Sequence, residues 1–463
     1  MPYGPAYFAD PRFEGLGGEF ADPVQPARFP RHILRFRNDR WAAHIGLGGF
    51  DESEWESAFA RFAPLKSNQK QPLAMRYHGH QFRVYNPNIG DGRGFLFAQL
   101  RDDTGRLLDL ATKGSGQTPY SRFGDGRLTL KGGVREILAA EMLEALGVST
   151  SKAFSLYETG EPLQRNDEPS PTRSAVLSRL SHSHVRFGTF QRLAFYDRAD
   201  LIRVLIDHVI ECYYPTLGDL GGEIRAPALL GEIVEATARL AASWMAAGFV
   251  HGVLNTDNMN VTGESFDYGP WRFLPKSEPG FTAAYFDENG LYAFGRQPEA
   301  ASWNLAQLAG CFALVAETAP LEQALQRFAP AYRLALRDRV FARLALKGGD
   351  LDANLKFLQS LFAWMTESRV PWAQFFHDWR GGEARAALAK SGPAREHYAR
   401  DDFAGIERDL RAHEGLLNTI EEGHSPPTLL IEDVEAIWDA IDKNDDWAPF
   451  NAKVAAIRAM GAV

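Results

Sequence analysis

The spacing of apolar and polar positions changes along the chain, and this change predicts the order of its structural elements. "GFLFAQLRD" (94–102) and "GRLLDLATKG" (105–114) are apolar runs with a polar turn between them, which predicts two adjacent strands. "GGVREILAAEMLEALGV" (132–148) repeats apolar positions at helical spacing, so we predict a helix that stops at Gly147. "SAVLSRL" (174–180) predicts one more strand.

The two halves of the chain differ in pattern. The first hundred residues are rich in aromatic residues, Pro and Gly, as in an extended arm with short strands. After residue 190 the pattern is helical, and its clearest helices are "DRADLIRVLIDHVIECYY" (197–214) and "GEIVEATARLAASWMAAG" (231–248). In a two-lobed protein-kinase-like fold, strands with one helix come first and a mostly helical half follows, which is the order predicted here.

We therefore predict an α+β fold with a small strand-rich N-lobe, a larger helical C-lobe and a C-terminal helical extension. The boundaries we assign are 1–190 for the N-terminal arm and N-lobe, 191–320 for the C-lobe and 321–463 for the extension.

Composition narrows the class of protein. Hydrophobic residues make up 45% and charged residues 24%, which is typical of a soluble globular protein. The net charge of −9 argues against nucleic-acid binding. No secretory signal pattern and no apolar run of membrane-spanning length is present, so we expect a cytoplasmic protein without membrane contact. Cys212 and Cys311 lie in apolar helical runs, which predicts buried structural thiols and excludes a disulfide framework.

The candidate catalytic and metal-binding residues lie mainly in "HGVLNTDNMN" (251–260) and "DYGP" (267–270). A kinase catalytic loop has the same His, the same Asn (here Asn258) and an Asp-aromatic-Gly, but here Val253 occupies the place of the catalytic base. Asn258 and Asp267 offer hard oxygen ligands suited to Mg²⁺ or Mn²⁺. The segment between them, "MNVTGESF" (259–266), is predicted to form a short hairpin that brings both side chains together.

A lysine at the end of a predicted strand, Lys113, precedes a helix that carries Glu136 and Glu141 among its glutamates. Such a lysine can pair with a helix glutamate and present its ammonium to phosphate oxygens. Periodicity does not favour Glu136 as the partner, because Glu136 lies opposite the apolar stripe while Glu141 lies within it. Without further signals, a surface lysine and a solvated glutamate are the simpler interpretation.

Two glycine-rich segments lie at Lys113, "NIGDGRGF" (88–95) and "TKGSGQTPYSRFGDGR" (112–127), and their Gly-Asp-Gly turns lie on either side of the lysine. Their glycines permit close backbone approach to an anion, and each segment carries an arginine, Arg93 or Arg127. Neither matches a P-loop or a dinucleotide-binding fingerprint. Further along, Arg179 and Arg186 are separated by a polar turn, and their spacing alone favours two unrelated surface arginines.

Taken together, these motifs resemble the SelO (selenoprotein O) family of pseudokinase-fold protein adenylyltransferases. The resemblance covers roughly residues 30–310 and rests on "YHGHQF" (77–82), "GDGRGFLFAQL" (90–100), "KGSGQTPYSRFGDGR" (113–127), "VREIL" (134–138), "HVRFGTF" (184–190), "HGVLNTDNM" (251–259), "DYGP" (267–270) and "WNLAQLA" (303–309).

The resemblance implies a kinase-like fold that binds ATP in reversed orientation and transfers AMP to Ser, Thr or Tyr hydroxyls of proteins, with release of pyrophosphate. It implies that Lys113 holds phosphates and pairs with Glu136, and that Asp257 accepts the proton. Asn258 and Asp267 would hold Mg²⁺ or Mn²⁺. The residues implied to contact the nucleotide are Gly90, Gly92, Arg93, Asp125, Gly126, Arg179, Arg186 and, through the metal, Asp267.

Alternatives remain open at this point. Some relatives are thought to use UTP with Mn²⁺, which would make the enzyme a protein uridylyltransferase. A small-molecule phosphotransferase is disfavoured by Val253, and an inert nucleotide-binding scaffold is disfavoured by the retention of Lys113, Asn258 and Asp267. The expected partners are ATP and acceptor proteins, and the expected state is a monomer.

The sequence also departs from the family pattern. Gly132 and Gly133 stand where relatives often carry two serines, and residues after about 390 do not resemble the usual family ending. No cysteine lies near the C-terminus, so redox control through a terminal thiol is not expected.

Overall fold

A nine-stranded antiparallel sheet carries the glycine-rich segments and the lysine between them. The computed structural model describes residues 3–417, 423 and 425–461. The strands of this sheet follow the order β2-β4-β7-β8-β11-β10-β3, with β1 on β7 and β9 on β11. Their bounds are β1 Phe8–Ala9, β2 Ala21–Pro23, β3 Ile33–Arg37, β4 Leu73–Met75, β7 Leu96–Arg101, β8 Leu107–Lys113, β9 Leu128–Thr129, β10 Lys152–Leu163 and β11 Thr172–Ser181.

Two small antiparallel pairs lie outside that sheet. One is the hairpin of β5 (Gly79–Gln81) and β6 (Val84–Asn86), and the other joins β12 (Phe249–Val250) to β13 (Arg272–Phe273). The second pair flanks the predicted catalytic loop, because β12 leads directly into His251 and β13 follows the Asp-Tyr-Gly segment.

Helices make up most of the chain after β11. Their bounds are α1 Asp39–His44, α2 Glu52–Phe59, α3 Leu130–Ala145, α4 Phe187–Phe195, α5 Ala199–Tyr213, α6 Arg225–Ala247, α7 Gln297–Phe312, α8 Thr318–Leu325, α9 Phe328–Leu344, α10 Leu351–Ser368, α11 Trp372–Asp378, α12 Ala386–Ser391, α13 Arg395–Tyr398, α14 Ala404–Ala412, α15 Ile431–Asn444 and α16 Ala448–Gly461. The protein is thus α+β, with an antiparallel sheet followed by a helical half.

The predicted strands at 94–102 and 105–114 are confirmed as β7 and β8, which pair antiparallel with Arg101 opposite Leu107. The turn between them is closed by Asp102, whose carboxylate accepts hydrogen bonds from the backbone of Thr104 and Arg106. The strand predicted at 174–180 is confirmed as part of β11. The buried state predicted for Cys212 and Cys311 is confirmed as well.

The predicted helix after the glycine-rich segments is α3, and it is buried on more than one face. Its N-terminus is capped by Thr129, and Gly147 follows its end with a φ of +77°. One face packs on the sheet, while Glu141 on another face binds Arg458 of α16 at 2.6 Å. A helix enclosed from two sides has no single apolar stripe, which is why Glu136 and Glu141 are both buried.

The last two helices pack against the strand-rich half of the molecule. Lys131 of α3 binds Glu435 of α15 at 2.7 Å, and Arg173 of β11 binds Asp445 at 2.7 Å. The assignment of residues 321–463 as one extension of the C-lobe stays a prediction, but the contacts of its final part are with α3 and the sheet. None of the helices within the described ranges is long and apolar enough for a membrane span.

Candidate active site

A cavity of about 580 Å³ lies where the two glycine-rich segments face the ends of β8 and β11. Seven basic and three acidic side chains line it, so the cavity is positively charged inside a chain whose net charge is −9. The basic residues are Arg93, Lys113, Arg122, Arg127, Arg165, Arg179 and Arg186, and the acidic ones are Asp91, Asp125 and Asp267. This composition suits a polyanion.

Lys113 stands between two carboxylates at the inner side of this cavity. Its Nζ donates to Glu136 Oε2 and to Asp267 Oδ1, each at 2.6 Å. Arg179 Nη1 completes the group, at 2.9 Å from Glu136 Oε1 and 3.4 Å from Asp267 Oδ1. The partner of Lys113 on α3 is therefore Glu136, as the family resemblance implied, and not the Glu141 that periodicity singled out.

Asp267 is held as an anion by these neighbours. Burial by itself would raise the pKa of Asp267, but the charges of Lys113, Arg179 and Arg186 outweigh it and keep that pKa well below its usual range. Its backbone adopts a φ of +64°, in the left-handed region that non-glycine residues rarely occupy. Such strain at a half-buried, ionised carboxylate is typical of a functional position.

Asn258 and Asp267 are adjacent, although not for the predicted reason. Asn258 Nδ2 donates to Asp267 Oδ2 at 3.1 Å. The hairpin predicted for "MNVTGESF" is wrong: Asn260 pairs instead with Arg186, and Ser265 with Thr150, in isolated bridges. The segment is thus anchored to neighbouring parts of the chain rather than to itself, and these anchors set the separation of Asn258 and Asp267.

The residues present fit a divalent cation that is held mainly by phosphate. The hydrogen bond between the two side chains uses the amide nitrogen of Asn258 and leaves its amide oxygen outside that bond. Within residues 3–417, 423 and 425–461, no group of three or more His, Cys, Asp or Glu side chains is placed to hold a metal ion. Mg²⁺ in proteins favours this mode of binding, in which one or two side chains provide oxygen ligands and phosphate and water provide the others.

Asp257 precedes Asn258 and is buried, with 8% of its surface exposed. Its Oδ1 has no hydrogen-bond partner among the described residues. Burial raises the pKa of Asp257 to about 6, against the nearby Arg186 guanidinium, which lowers it. A desolvated carboxylate with an unused lone pair is suited to accept a proton.

The glycine-rich segments form the opposite wall. Gly90, Gly92, Arg93, Asp125 and Gly126 all line the cavity. Gly126 adopts a φ of +69°, and a Cβ there would lie 2.3 Å from the backbone of Gly116, so only glycine fits. Asp125 is paired with Arg165 at 2.8 Å and accepts a hydrogen bond from the backbone of Arg127.

Arg179 and Arg186 are not surface arginines, so the interpretation based on their spacing is wrong. They are 4% and 5% exposed, and both line the cavity. Arg186 Nη1 donates to the backbone oxygen of Asp257 at 2.8 Å, and Nη2 lies 3.3 Å from Asp91. Spacing along the chain misses them because β11 and the start of α4 turn their side chains inward toward the same cavity.

Sequence reasoning missed several residues of the wall. Asp91 lies between two glycines named as candidates, and its bond to Arg186 gives it a place in the site. The guanidinium of Arg186 lies over the ring of Tyr77, with 4.4 Å between the guanidinium carbon and the ring centre. Both fall within quoted motifs, which was the available signal. Arg165 comes from the loop after β10 and carried no signal in the sequence.

The histidine of the predicted catalytic loop is structural. His251 is buried, and its Nε2 lies 3.1 Å from the backbone oxygen of Phe266, so that nitrogen carries the proton and donates. Its backbone nitrogen donates to Gln297 Oε1 at 2.9 Å. His251 therefore joins the loop to the segment before Asp267. None of Val253, Asp257 and Asn258 lines the cavity, but Asp257 and Asn258 contact its lining residues Arg186 and Asp267.

Comparison with known proteins agrees with this geometry. The family model described as "Protein adenylyltransferase SelO" matches residues 6–458. Three curated relatives are each named "Protein nucleotidyltransferase YdiU". The relative from Gloeobacter violaceus is 46% identical over 97% of this chain and 94% of its own length. Those from Trichodesmium erythraeum and Synechocystis are each 44% identical, over 95% and 96% of this chain and 96% of their own lengths.

The family match extends far beyond the residues 30–310 on which the resemblance was based. The expectation that the chain departs from the family after about residue 390 is therefore wrong. Five of the eight quoted motifs contribute residues that line the cavity, whereas helices such as α15 and α16 offer no short motif by which to recognise them.

Proposed function

This chain belongs to the SelO family of protein nucleotidyltransferases, and from that premise we propose that it transfers AMP from ATP to Ser, Thr or Tyr hydroxyls of acceptor proteins. The acceptor oxygen forms a bond to the α-phosphorus, the bond from that phosphorus to the β-phosphate oxygen breaks, and pyrophosphate leaves. The hydroxyl proton passes to Asp257.

The observation that carries the proposal is the charge of the cavity. Seven basic residues face three acidic ones in about 580 Å³, and the glycine-rich wall lets backbone approach the ligand. Nucleotidyl transfer depends mainly on positioning and on neutralising phosphate charge, so such a cavity supplies most of what the reaction needs.

Each side chain takes a role that follows from its contacts. Lys113 and Arg179 neutralise phosphate oxygens, and Glu136 holds both of them in place from α3. Arg186 reaches the nucleotide from the side of Asp257. Further contacts to the nucleotide come from Gly90, Gly92, Arg93, Asp125 and Gly126.

Asn258 and Asp267 would hold the divalent cation, Mg²⁺ or Mn²⁺. When bound, the cation neutralises charge on the phosphate oxygens and on the leaving pyrophosphate. Asp267 is suited to this role because its neighbours keep it ionised, and Asn258 because its amide oxygen is a neutral hard donor.

The absence of a base at Val253 supports a reversed nucleotide. In a kinase the base acts beside the γ-phosphate, whereas reversal brings the α-phosphate to the acceptor and moves the reacting atom. Asp257 is then the carboxylate beside the proposed metal ligands, and its Oδ1, to which no described residue donates, is the atom that takes the proton. A general base of this kind contributes roughly 10²–10⁴-fold.

The proposal includes a two-lobed kinase-like arrangement with boundaries at 1–190, 191–320 and 321–463. It is supported by the hydrophobic clusters of the described residues: one lies within residues 24–180 and one within residues 246–410, and a third contains residues of both halves. The cavity is walled by the strand-rich half, and Asp267 reaches it from the helical half. A monomeric state and a cytoplasmic location stay predictions.

The test uses ATP labelled at either the α- or the γ-phosphorus, incubated with the protein and bulk protein acceptor in the presence of Mg²⁺ or Mn²⁺. Protein-bound label from α-labelled ATP alone supports the proposal. Label from γ-labelled ATP would show a phosphotransferase, and no label from either would show a scaffold. A parallel reaction with α-labelled UTP asks whether the enzyme is a uridylyltransferase, as the broader name of the relatives allows.

A further inference from the structure

The hairpin of β5 and β6 lies directly over the catalytic loop. It contains most of the "YHGHQF" motif, to which no chemical role has yet been attached. The backbone nitrogen of His80 donates to Thr256 Oγ1 at 2.7 Å, and that of Phe82 donates to Asn255 Oδ1 at 3.0 Å. The two residues that precede Asp257 are thus held by this hairpin.

The tip of the hairpin is strained. Phe82 and Arg83 form its two-residue turn with φ values of +51° and +63°, a conformation that such turns usually assign to Asn or Gly. Residues other than glycine are unfavourable in this conformation, and the surrounding structure must compensate. Here the Phe82 ring packs on Tyr292 at 4.9 Å, and Arg83 binds Glu299 at 3.0 Å. Strain that is held in this way beside an active site indicates a functional constraint.

A closed ring of hydrogen bonds joins the hairpin, helix α4 and the catalytic loop. Thr256 Oγ1 accepts from His80 N, so its own proton is free to donate to Gln191 Oε1, at 2.6 Å. Gln191 Nε2 then donates to His80 Nδ1 at 2.8 Å. Thr256 and Gln191 are buried, and each donor in the ring meets one acceptor. The ring therefore allows one orientation of Thr256, the residue next to Asp257.

The hairpin also touches the carboxylate of Asp257. A Cβ on Gly79 would lie 2.9 Å from Asp257 Oδ1 and 3.1 Å from its Cβ. The β5 backbone therefore forms a wall beside the proposed proton acceptor and restricts its rotation.

We infer that Thr256 and Gln191 are positioning residues, which, through the hydrogen-bonded ring with His80, hold Asp257 in the orientation that accepts the acceptor's proton. The inference rests on the proposed function of Asp257. It predicts that the ring affects the chemical step and not nucleotide binding, because the side chains of Thr256 and Gln191 bond to each other and to His80 beside Asp257, and not to the basic residues that line the cavity.

The test compares Thr256→Val, which keeps the shape and removes the hydroxyl, with Thr256→Ser, which keeps the hydroxyl. Thr237→Val is the matched control, since Thr237 is a fully buried threonine of α6 whose hydroxyl has no partner among the described residues. Transfer of label from α-labelled ATP is measured with kcat and KM for ATP, and hydrogen–deuterium exchange is followed in the peptide 251–260.

We expect Thr256→Val to lower kcat by about 10–100-fold at nearly unchanged KM and to speed exchange in residues 251–260. Thr256→Ser should restore kcat to within about threefold, and Thr237→Val should match the wild type. If Thr256→Val does not fold, Gln191→Met is judged by the same criteria, because it breaks the ring from α4.

The inference would be overturned if Thr256→Val kept the kcat of the wild type. It would also be overturned if Thr256→Val lost kcat and ATP affinity equally and Thr256→Ser did not restore them. Both results would leave the proposed function intact. No transfer by the wild type and by Thr237→Val would instead overturn the proposed function. In that case hydrogen–deuterium exchange still tests whether the ring orders residues 251–260. Unchanged exchange in Thr256→Val would contradict that role of the ring.

Discussion

The ammonium of Lys113 lies 2.6 Å from Asp267 Oδ1, so the proposed phosphate-binding cation and the proposed metal-binding anion are paired with each other. Each charge compensates the other, and this matters most for Lys113, because it is buried and a lone charge there would be costly. When a nucleotide binds with its cation, the phosphate would replace Asp267 as the partner of Lys113, and the cation would replace Lys113 as the partner of Asp267. The pair thus links the two halves of the chain at the point where the proposed reaction takes place.

Asp267→Asn should reduce nucleotidyl transfer by at least about 10³-fold, because an amide keeps the shape but loses the charge that neutralises a cation. ATP affinity measured without metal should stay the same or rise, since one negative charge leaves the cavity. Transfer from α-labelled ATP and calorimetric ATP binding measure the two effects. The control is Asp352→Asn, an exposed position in α10, which should behave as the wild type. Near-normal transfer by Asp267→Asn would remove Asp267 from the metal site.

Glu136→Gln should destabilise the fold by about 3 kcal/mol, because Lys113 and Arg179 then share only Asp267. Saturating ATP should recover much of this loss in a thermal-shift assay, since phosphate supplies the missing negative charge.

Glu141→Gln provides the matched control for that change. Glu141 is equally buried on the same helix, but its partner Arg458 is not part of the cavity. The variant should lose stability without recovery by ATP. The same ATP response in both variants would contradict the assignment of Glu136.

Asp257→Asn should lower kcat for transfer by roughly 10²–10⁴-fold while KM for ATP changes little. The amide cannot accept the acceptor's proton, yet it keeps the packing against Gly79. Steady-state kinetics with α-labelled ATP separates the two constants. A rise in KM with unchanged kcat would place Asp257 in nucleotide binding instead.

Glu264 should make stability depend on pH. Burial raises the pKa of Glu264 from its ordinary 4.5 to about 7, while Lys152 opposes that rise. Between these values the unfolded chain has released a proton that the folded chain keeps, so stability is lost as pH rises from about 4.5 to about 7.

Glu264→Gln removes this titration and still accepts the hydrogen bond from the His182 backbone, which is 2.8 Å long in the wild type. At pH 8 the variant should therefore be more stable than the wild type by up to about 3 kcal/mol, and the difference should shrink below pH 5. Urea unfolding at both pH values measures it. A difference that is the same at both values would exclude Glu264 as the cause.

Much of the site could be predicted from local pattern. Strands β7 and β8 and the long helix α6 follow from periodicity, because each depends mainly on residues close in sequence. Lys113 at the end of β8, between two glycine-rich segments, was visible for the same reason. The proposed metal-binding pair was visible from the order of Asn258 and Asp267 in a kinase-like loop.

What periodicity could not show depends on contacts between distant residues. Glu136 is chosen over Glu141 because of what lies on each side of α3, and α16 is more than 300 residues away in the chain. Arg179 and Arg186 look like surface residues until the sheet and α4 enclose them. The hairpin predicted after Asn258 fails because Asn260 and Ser265 find better partners elsewhere.

The most direct test of the central claim is mass spectrometry of the modified acceptor. The wild-type protein is incubated with a protein acceptor, ATP and UTP together, and Mg²⁺ or Mn²⁺, and the modified peptides are sequenced. The account predicts an AMP group on a Ser, Thr or Tyr oxygen, absent with Asp267→Asn. A phosphate group at those positions, or no modification by the wild-type protein under either metal, would contradict it.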